Sequence, residues 1–279
     1  MNGVSVEASR SIRVRSKGHR QGPVTRLISP NDLGEMVKPF VFLDYFDAAS
    51  STDFPFVAHP HSGIATHTTF LGGGVIYGDS TGATGTLEAG SIEWMQAGSG
   101  VWHWGAPSPG APGRGYQLWV SLPPELELVP ATSRYFDADQ IDTDGTARIL
   151  FGEYEALRSP IAVALPMTYL HVTLADGQSW TYTPAAEHDV AWLATHVGRL
   201  RTADTVLHAE LAIFEDGHAP IELQAEGESE FVIGSARRHP YPLVLGPSSV
   251  HTSTGALREA REHISRLADT PSVRAARGD

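Results

Sequence analysis

The sequence predicts an all-β chain of two β-rich halves, each made of short antiparallel strands, with one amphipathic helix near the C-terminus. Glycine (28) and proline (19) together make up about one residue in six of 279, which suits short strands and turns better than long helices. Between residues 64 and 122, turn signals at 72–74, 78–85, 89–90 and 98–100 recur at the spacing of a small antiparallel barrel or sandwich. A second run of the same character spans 167–236.

The N-terminal stretch MNGVSVEASRSIRVRSK contains no uninterrupted apolar segment of the kind a secretory signal needs. IATHTTFL (64–71) reads as a strand ended by GGG. Ser91–Met95 and Tyr116–Leu122 are rich in aromatic and β-branched residues, as half-buried strands are. After Pro123 and Pro124 the pattern weakens until about residue 160, with turn chemistry in DADQIDTDGTA (137–147). MTYLHVTLADGQSWTYTP, DVAWLATHVGRLRTADTVLHAELAIFEDG and IELQAEGESEFVIGSA then form the second β-rich half. Two halves of similar size suggest a duplicated barrel, with a boundary at 135/136, although no residue-level repeat is evident. In GALREAREHISRLA (255–268), Leu257, Ala260, Ile264 and Leu267 fall on one helical face. Ser253 or Thr254 is placed to cap it.

Composition narrows the function classes. The absence of cysteine excludes thiolate ligands, disulfides and cysteine nucleophiles. A net charge of -12 gives no overall footprint for nucleic acid. The basic clusters at the two ends (Arg10 to Arg20, Arg258 to Arg277) read as a solvated tail and a polar helix face. No apolar run is long enough to span a membrane. The expectation is a soluble, cytoplasmic protein.

The stretch HPHSGIATH (59–67) holds three of the thirteen histidines. On a strand, residues two apart face the same side, about 6.5 Å apart, so His59 and His61 can offer imidazoles to one ion. Pro60 removes a ladder donor and suits an edge or strand start. His103, in GSGVWHWG, follows a glycine-rich turn and is the obvious third imidazole. Such ligands suit Fe, Zn, Cu or Ni. The competing reading is a histidine-rich strand with satisfied side chains. His67 shares the face of His59 and His61 if the strand is unbroken, but roughly 13–20 Å along it, which makes it a pocket wall or an indirect partner of the metal more readily than a ligand. His171, His188, His196, His208 and His218 are scattered through the second half and form no such pattern. Trp102 and Trp104 alternate to the face opposite His103, where packing explains them. Glu88 and Glu93 lie near these residues in sequence, with no sign of which way either points.

The ordered set FVFLDYFD, FVAHPHSGIATHTTFLGGGV, GDSTGATGTLEAGSIEWMQAGSGVWHWG and GYQLWVSLPPE resembles the pirin family of the cupin superfamily. The opening SIRVRSKGHRQG and the closing RHPYPLVLGPSSVHTS are also similar to the family's ends. The resemblance implies a bicupin, that is, two cupin-type antiparallel β-barrels with a C-terminal helix. Residues 1–135 would carry a metal, usually iron, on His59, His61 and His103, and residues 136–279 would carry none. It also implies a fourth ligand, a glutamate, two residues after the last histidine; this chain has Gly105 there. The wider cupin pattern places a glutamate four residues after the second histidine; this chain has Ala65. Three neutral imidazoles still hold a divalent ion tightly in other proteins, but no ligand carboxylate balances its charge or acts as a base.

The family resemblance implies one of two roles. One is flavonol (quercetin) 2,3-dioxygenation of a small-molecule substrate. The other is non-enzymatic regulation or redox sensing through a protein partner. A degenerate cupin without turnover is the third possibility. No catalytic side chain is identifiable from the sequence.

Overall fold

A computed structural model describes residues 9–47, 57–109, 113–163 and 165–278. The chain divides into two compact units, one of residues 19–140 with 239–278, the other of residues 9–18 with 141–238. These are not two consecutive lengths of chain. The expected boundary at 135/136 has its counterpart at 140/141, and two further crossings lie at 18/19 and 238/239. Strand pairing explains the first of these, because Ile12–Ser16 runs antiparallel to Glu210–Phe214 and so belongs to the second half's sheet.

In the second unit, an eight-stranded antiparallel sheet is built around Val190–Thr202 and Ile221–Ala236, its two longest strands. Trp192 lies opposite Gly234, whose missing side chain leaves room for the indole: a Cβ there would stand 2.7 Å from the ring. Leu170, Tyr182, Leu193, Phe214, Phe231 and Ile233 make up much of a fully buried apolar core. Burying each such side chain contributes about 1.5–3 kcal/mol before chain entropy is counted.

The first unit holds a seven-stranded sheet and a four-stranded sheet. The seven strands lie in the order Thr132–Phe136, Ile92–Gln96, Ile64–Gly72, Arg114–Ser121, Phe40–Asp47, Val24–Ile28, His19–Gln21. The four are His59–His61, Val101–Pro107, Val75–Asp79, Thr84–Leu87. The fold is all-β with antiparallel sheets, but the hydrogen-bonded strand orders are open rather than closed rings. FVFLDYFD is nearly continuously buried, as expected of a strand covered on both faces.

Cross-strand partners share a face of a sheet. The register therefore sets Asp44, Gln117, Thr68 and Glu93 in one row across the seven-stranded sheet. It also sets Asp79, His103 and His59 in one row across the four-stranded sheet. An apolar cluster of Phe42, Met95, Val101 and Trp119 forms one part of this unit's core, and Phe46, Phe70, Val75 and Leu87 form another.

The stretch from 124 to 160, weak in pattern, holds strands of only two to five residues: Thr132–Phe136, Ala147–Phe151, Glu153–Tyr154 and Leu157–Arg158. The expected helix runs Thr254–Ala268, and Ser253 Oγ accepts from the Ala256 N–H at 3.1 Å as its cap. A second helix, Pro271–Arg277, follows; proline at its first position and Gly278 just past its end are the sequence signals for it. Among the described residues, no helix is long and apolar enough to cross a membrane.

Candidate metal centre

The strand His59–His61 runs antiparallel to Val101–Pro107, with His103 opposite His59 and Val101 opposite His61. Alternation turns His59 and His61 to one face, and direct pairing brings His103 to the same face. One ring nitrogen from each lies within 4.8 Å of the others. The ring centroids are 4.8 Å (His59–His61), 4.3 Å (His59–His103) and 4.9 Å (His61–His103) apart.

Hydrogen bonds fix which atoms converge. His59 Nδ1 lies 2.8 Å from the Val57 carbonyl oxygen, and His61 Nδ1 lies 2.9 Å from that of Ser248. A carbonyl only accepts, so both Nδ1 atoms carry the proton and both Nε2 atoms keep a lone pair. His61 Nε2 is buried with no hydrogen-bond partner. His59 Nε2 and His103 Nε2 are 2.9 Å apart, a distance two lone pairs do not adopt without a proton or cation between them. Burial lowers the pKa of all three rings. His61 falls to about 3 through burial and then the charge of His59; His103 falls well below its ordinary value through burial and then its two neighbours. The rings are therefore neutral, the form that binds metal. A buried lone pair without a donor is costly, and a divalent ion shared by the three satisfies all of them. The donor set fits such an ion.

No carboxylate among the described residues joins the cluster. Gly105 lies two residues beyond His103, opposite Tyr77. Ala65 is buried on Ile64–Gly72, opposite Gln96 and Val120. Asp79 is opposite His103, but its oxygens are taken: Oδ1 by the Thr81 N–H (2.7 Å) and hydroxyl (2.6 Å), Oδ2 by the Tyr135 hydroxyl (3.0 Å). Glu93 is buried and accepts from the Thr68 hydroxyl at 2.7 Å. Burial, opposed by that bond and reinforced by the Asp79 charge, pushes Glu93 up to about 7. Glu88 is exposed.

His67 does not share the face of His59 and His61 through one continuous strand, because the strand breaks at Gly63. Gly63 has φ +70, and a Cβ there would stand 2.0 Å from the Val250 carbonyl oxygen. Beyond the break, Ile64–Gly72 joins the other sheet, where His67 pairs with Leu118 and Trp94 and is buried. His67 does not line the cavity described next.

A cavity of about 460 Å³ opens onto His59 and His61, within the range of small-molecule sites. Phe42, stacked on Trp119 at 4.0 Å, gives it an aromatic wall, and Trp119 meets His61 edge-on at 5.0 Å. Arg26, Asp44 and Gln117 supply polar groups. Arg26 pairs with Asp44, its Nη2 donating to Oδ2 at 2.9 Å, and its guanidinium stands 4.0 Å over the Phe42 ring. Burial raises the Asp44 pKa against the pull of Arg26. Sequence reasoning assigned no role to Arg26, Asp44, Gln117 or Ser248, although Asp44, Gln117 and Ser248 lie in the FVFLDYFD, GYQLWVSLPPE and RHPYPLVLGPSSVHTS stretches.

Trp102 and Trp104 face away from His103, as alternation requires. Trp102 Nε1–H donates to the Ile264 carbonyl at 3.1 Å, and Trp104 covers Gly78. In the second unit, His188 meets Ser235 Oγ at 2.8 Å, His208 meets the Gly198 carbonyl at 2.9 Å, and His218 meets the His188 carbonyl at 3.1 Å. His59, His61 and His103 are the group with metal-ligand geometry among the described residues.

Comparison with known proteins agrees with this picture. The family model described as Pirin matches residues 21–120, which contain all three histidines. A Pseudomonas aeruginosa protein named "Putative quercetin 2,3-dioxygenase" is 30% identical over 247 residues, covering 81% of this chain and 84% of its own. The crystal structure of a quercetin 2,3-dioxygenase from Acinetobacter baumannii superposes with a TM-score of 0.83 at 26% identity, over 95% of this chain and 100% of that one. The bacterial pirin YhhW from Escherichia coli, solved in complex with nickel(II), shares the fold with a TM-score of 0.60 at 19% identity, over 82% of this chain and 98% of its own. With the three-histidine cluster set in a cupin-type β unit and a relative of this similarity along most of its length, the chain belongs to the pirin family.

Proposed function

We propose that this chain is a metal-dependent dioxygenase of the quercetin 2,3-dioxygenase kind, acting on a planar flavonol-like substrate. The observation that carries the reading is the convergence of three neutral imidazoles, two of which line a cavity with an aromatic wall. The names of the Pseudomonas and Acinetobacter relatives support the substrate class. Iron is the ion implied by the pirin resemblance, and nickel is its rival from the Escherichia coli relative. A cysteine-free composition agrees with a cytoplasmic setting.

His59, His61 and His103 would hold the ion. When bound, it would supply a Lewis-acid centre with open positions for an oxygen donor and for dioxygen. The protein's own residues do the rest. Phe42 and Trp119 give the cavity an apolar aromatic wall, with the Arg26 guanidinium lying over the Phe42 ring. With Gly105 in the family's glutamate position, the acceptor for the substrate's hydroxyl proton comes from another strand. Asp44 lines the cavity, and its burial makes it a stronger base than an exposed aspartate. Arg26 holds that carboxylate in place from the neighbouring strand.

The test is flavonol consumption with oxygen uptake, measured on protein loaded separately with Fe(II), Ni(II), Cu(II) and Zn(II). At least one loaded form should consume quercetin. Asp44→Asn should slow the reaction at least roughly tenfold, in line with loss of a general base, without releasing the ion. Protein that holds one ion per chain yet leaves every flavonol intact would overturn the enzymatic reading in favour of a binding or regulatory role.

A further inference from the structure

A buried polar chain runs behind His61 and reaches residues that lie far away in sequence. Ser62, His251 and Glu127 are 0%, 1% and 3% exposed. Ser62 Oγ lies 2.9 Å from His251 Nε2, and His251 Nδ1 lies 3.1 Å from Glu127 Oε2. A carboxylate only accepts, so Nδ1 carries a proton and Nε2 is turned to Ser62. Glu127 also accepts from the Thr252 N–H and the Thr252 hydroxyl, both at 2.7 Å. Ser62 Oγ also lies 3.0 Å from Ser249 Oγ, and Ser249 Oγ lies 3.1 Å from the Pro247 carbonyl oxygen.

Serine, histidine and glutamate in this order have the connectivity of a nucleophile, a base and an orienting acid. Complete burial of Ser62 rules out attack on any substrate, so the arrangement serves something internal. Its end point is the turn between Val244–Gly246 and Ser249–His251. Ser248 in that turn has φ +51, a conformation that side-chain-bearing residues adopt only when their surroundings hold them there. The Ser248 carbonyl is the acceptor for His61 Nδ1. The other contacts of the His61 ring are with the Trp119, His59 and His103 rings, and none of them bonds to Nδ1.

We propose that Glu127, His251 and Ser62 are positioning residues for the metal centre: they clamp the C-terminal hairpin so that the Ser248 carbonyl holds His61 in its ligating tautomer and orientation. The proposal rests on the metal reading above. It makes residues 244–251 part of a site whose ligands all lie before residue 104. Outer partners of ligating histidines fix the tautomer and raise ligand basicity, and removing one typically weakens metal binding about 10–100-fold.

The probe is Co(II), titrated against a chromophoric competitor, with its visible absorption recorded on the bound form. Ser62→Ala and His251→Gln should each weaken Co(II) binding about tenfold or more and alter the absorption intensity. Glu127→Gln keeps an acceptor oxygen and should give a smaller loss of the same kind, which covers the case in which a bolder change at 127 fails to fold. Tyr182→Phe serves as the control. It breaks a buried bond to Ser235 (2.7 Å) in the other unit and should leave affinity and spectrum unchanged even where it lowers Tm. Wild-type protein that binds Co(II) while folded Ser62→Ala and His251→Gln bind it equally, with the same spectrum, overturns the positioning role alone. Wild-type protein that binds no Co(II) at all overturns the metal reading beneath it and the positioning role with it.

Discussion

Replacing Glu93 by glutamine should change how stability depends on pH. Glu93 is 7% exposed, and its carboxyl is held at about 7 against an ordinary 4.5. The folded chain therefore keeps this proton where the unfolded chain has lost it. Its stabilising contribution is complete below pH 4.5 and is lost as pH rises to 7. The span corresponds to about 3 kcal/mol. His59, His61 and His103 act in the opposite sense: their folded pKa values are depressed, so their contribution is present above pH 6.5 and lost as pH falls. Subtracting the Glu93→Gln curve from the wild-type curve removes the histidine part, because both proteins share it. Urea unfolding of metal-free protein at half-unit steps from pH 4.5 to 8 provides the two curves. The wild-type-minus-variant difference should fall by about 3 kcal/mol up to pH 7 and be level above it. A difference that is flat across the range would refute burial as the force acting on Glu93.

Three further substitutions probe other parts of the structure. Gly63→Ala places a Cβ 2.0 Å from the Val250 carbonyl oxygen at φ +70; a loss of about 3 kcal/mol or more in chemical unfolding is expected, and a neutral result would mean that the break between the two strands is not needed. Ser253→Ala removes the acceptor for the Ala256 N–H and should lower stability by about 1 kcal/mol, read from the unfolding midpoint. Gly105→Glu restores a carboxylate two residues past His103 and should tighten divalent metal binding in a competition titration; unchanged affinity would show that position 105 does not face the ion.

The sequence made the local parts of this molecule legible. Alternation along HPH and the glycine-rich turn before His103 place three imidazoles on neighbouring strands, because both cues act within a few residues. The Ser253 cap and the apolar face of the last long helix are local in the same way. Legibility ended where contacts span the chain. Ser248 stands 187 residues from the His61 it supports, and no periodicity connects them. Arg26 and Asp44 meet only because Val24–Ile28 pairs with Phe40–Asp47. His67 shares the face of His59 and His61 only if the strand is unbroken; the positive φ of Gly63 ends that strand, and His67 lies in another sheet. The boundary at 135/136 treated the chain as two successive lengths, whereas Ile12–Ser16 pairs with Glu210–Phe214 in the second half's sheet.

The most direct measurement is the number of divalent ions bound per chain, by calorimetric titration of Fe(II) under anaerobic conditions and of Ni(II) in air, on wild-type protein and on His103→Ala. Wild-type protein should bind one ion per chain and gain thermal stability as it does, since a ligand bound only by the folded state adds about 2.7 kcal/mol at a hundredfold excess over Kd. His103→Ala should lose both the binding and the gain. Wild-type protein that binds neither ion, or His103→Ala that binds as wild-type does, would contradict a metal centre built on His59, His61 and His103.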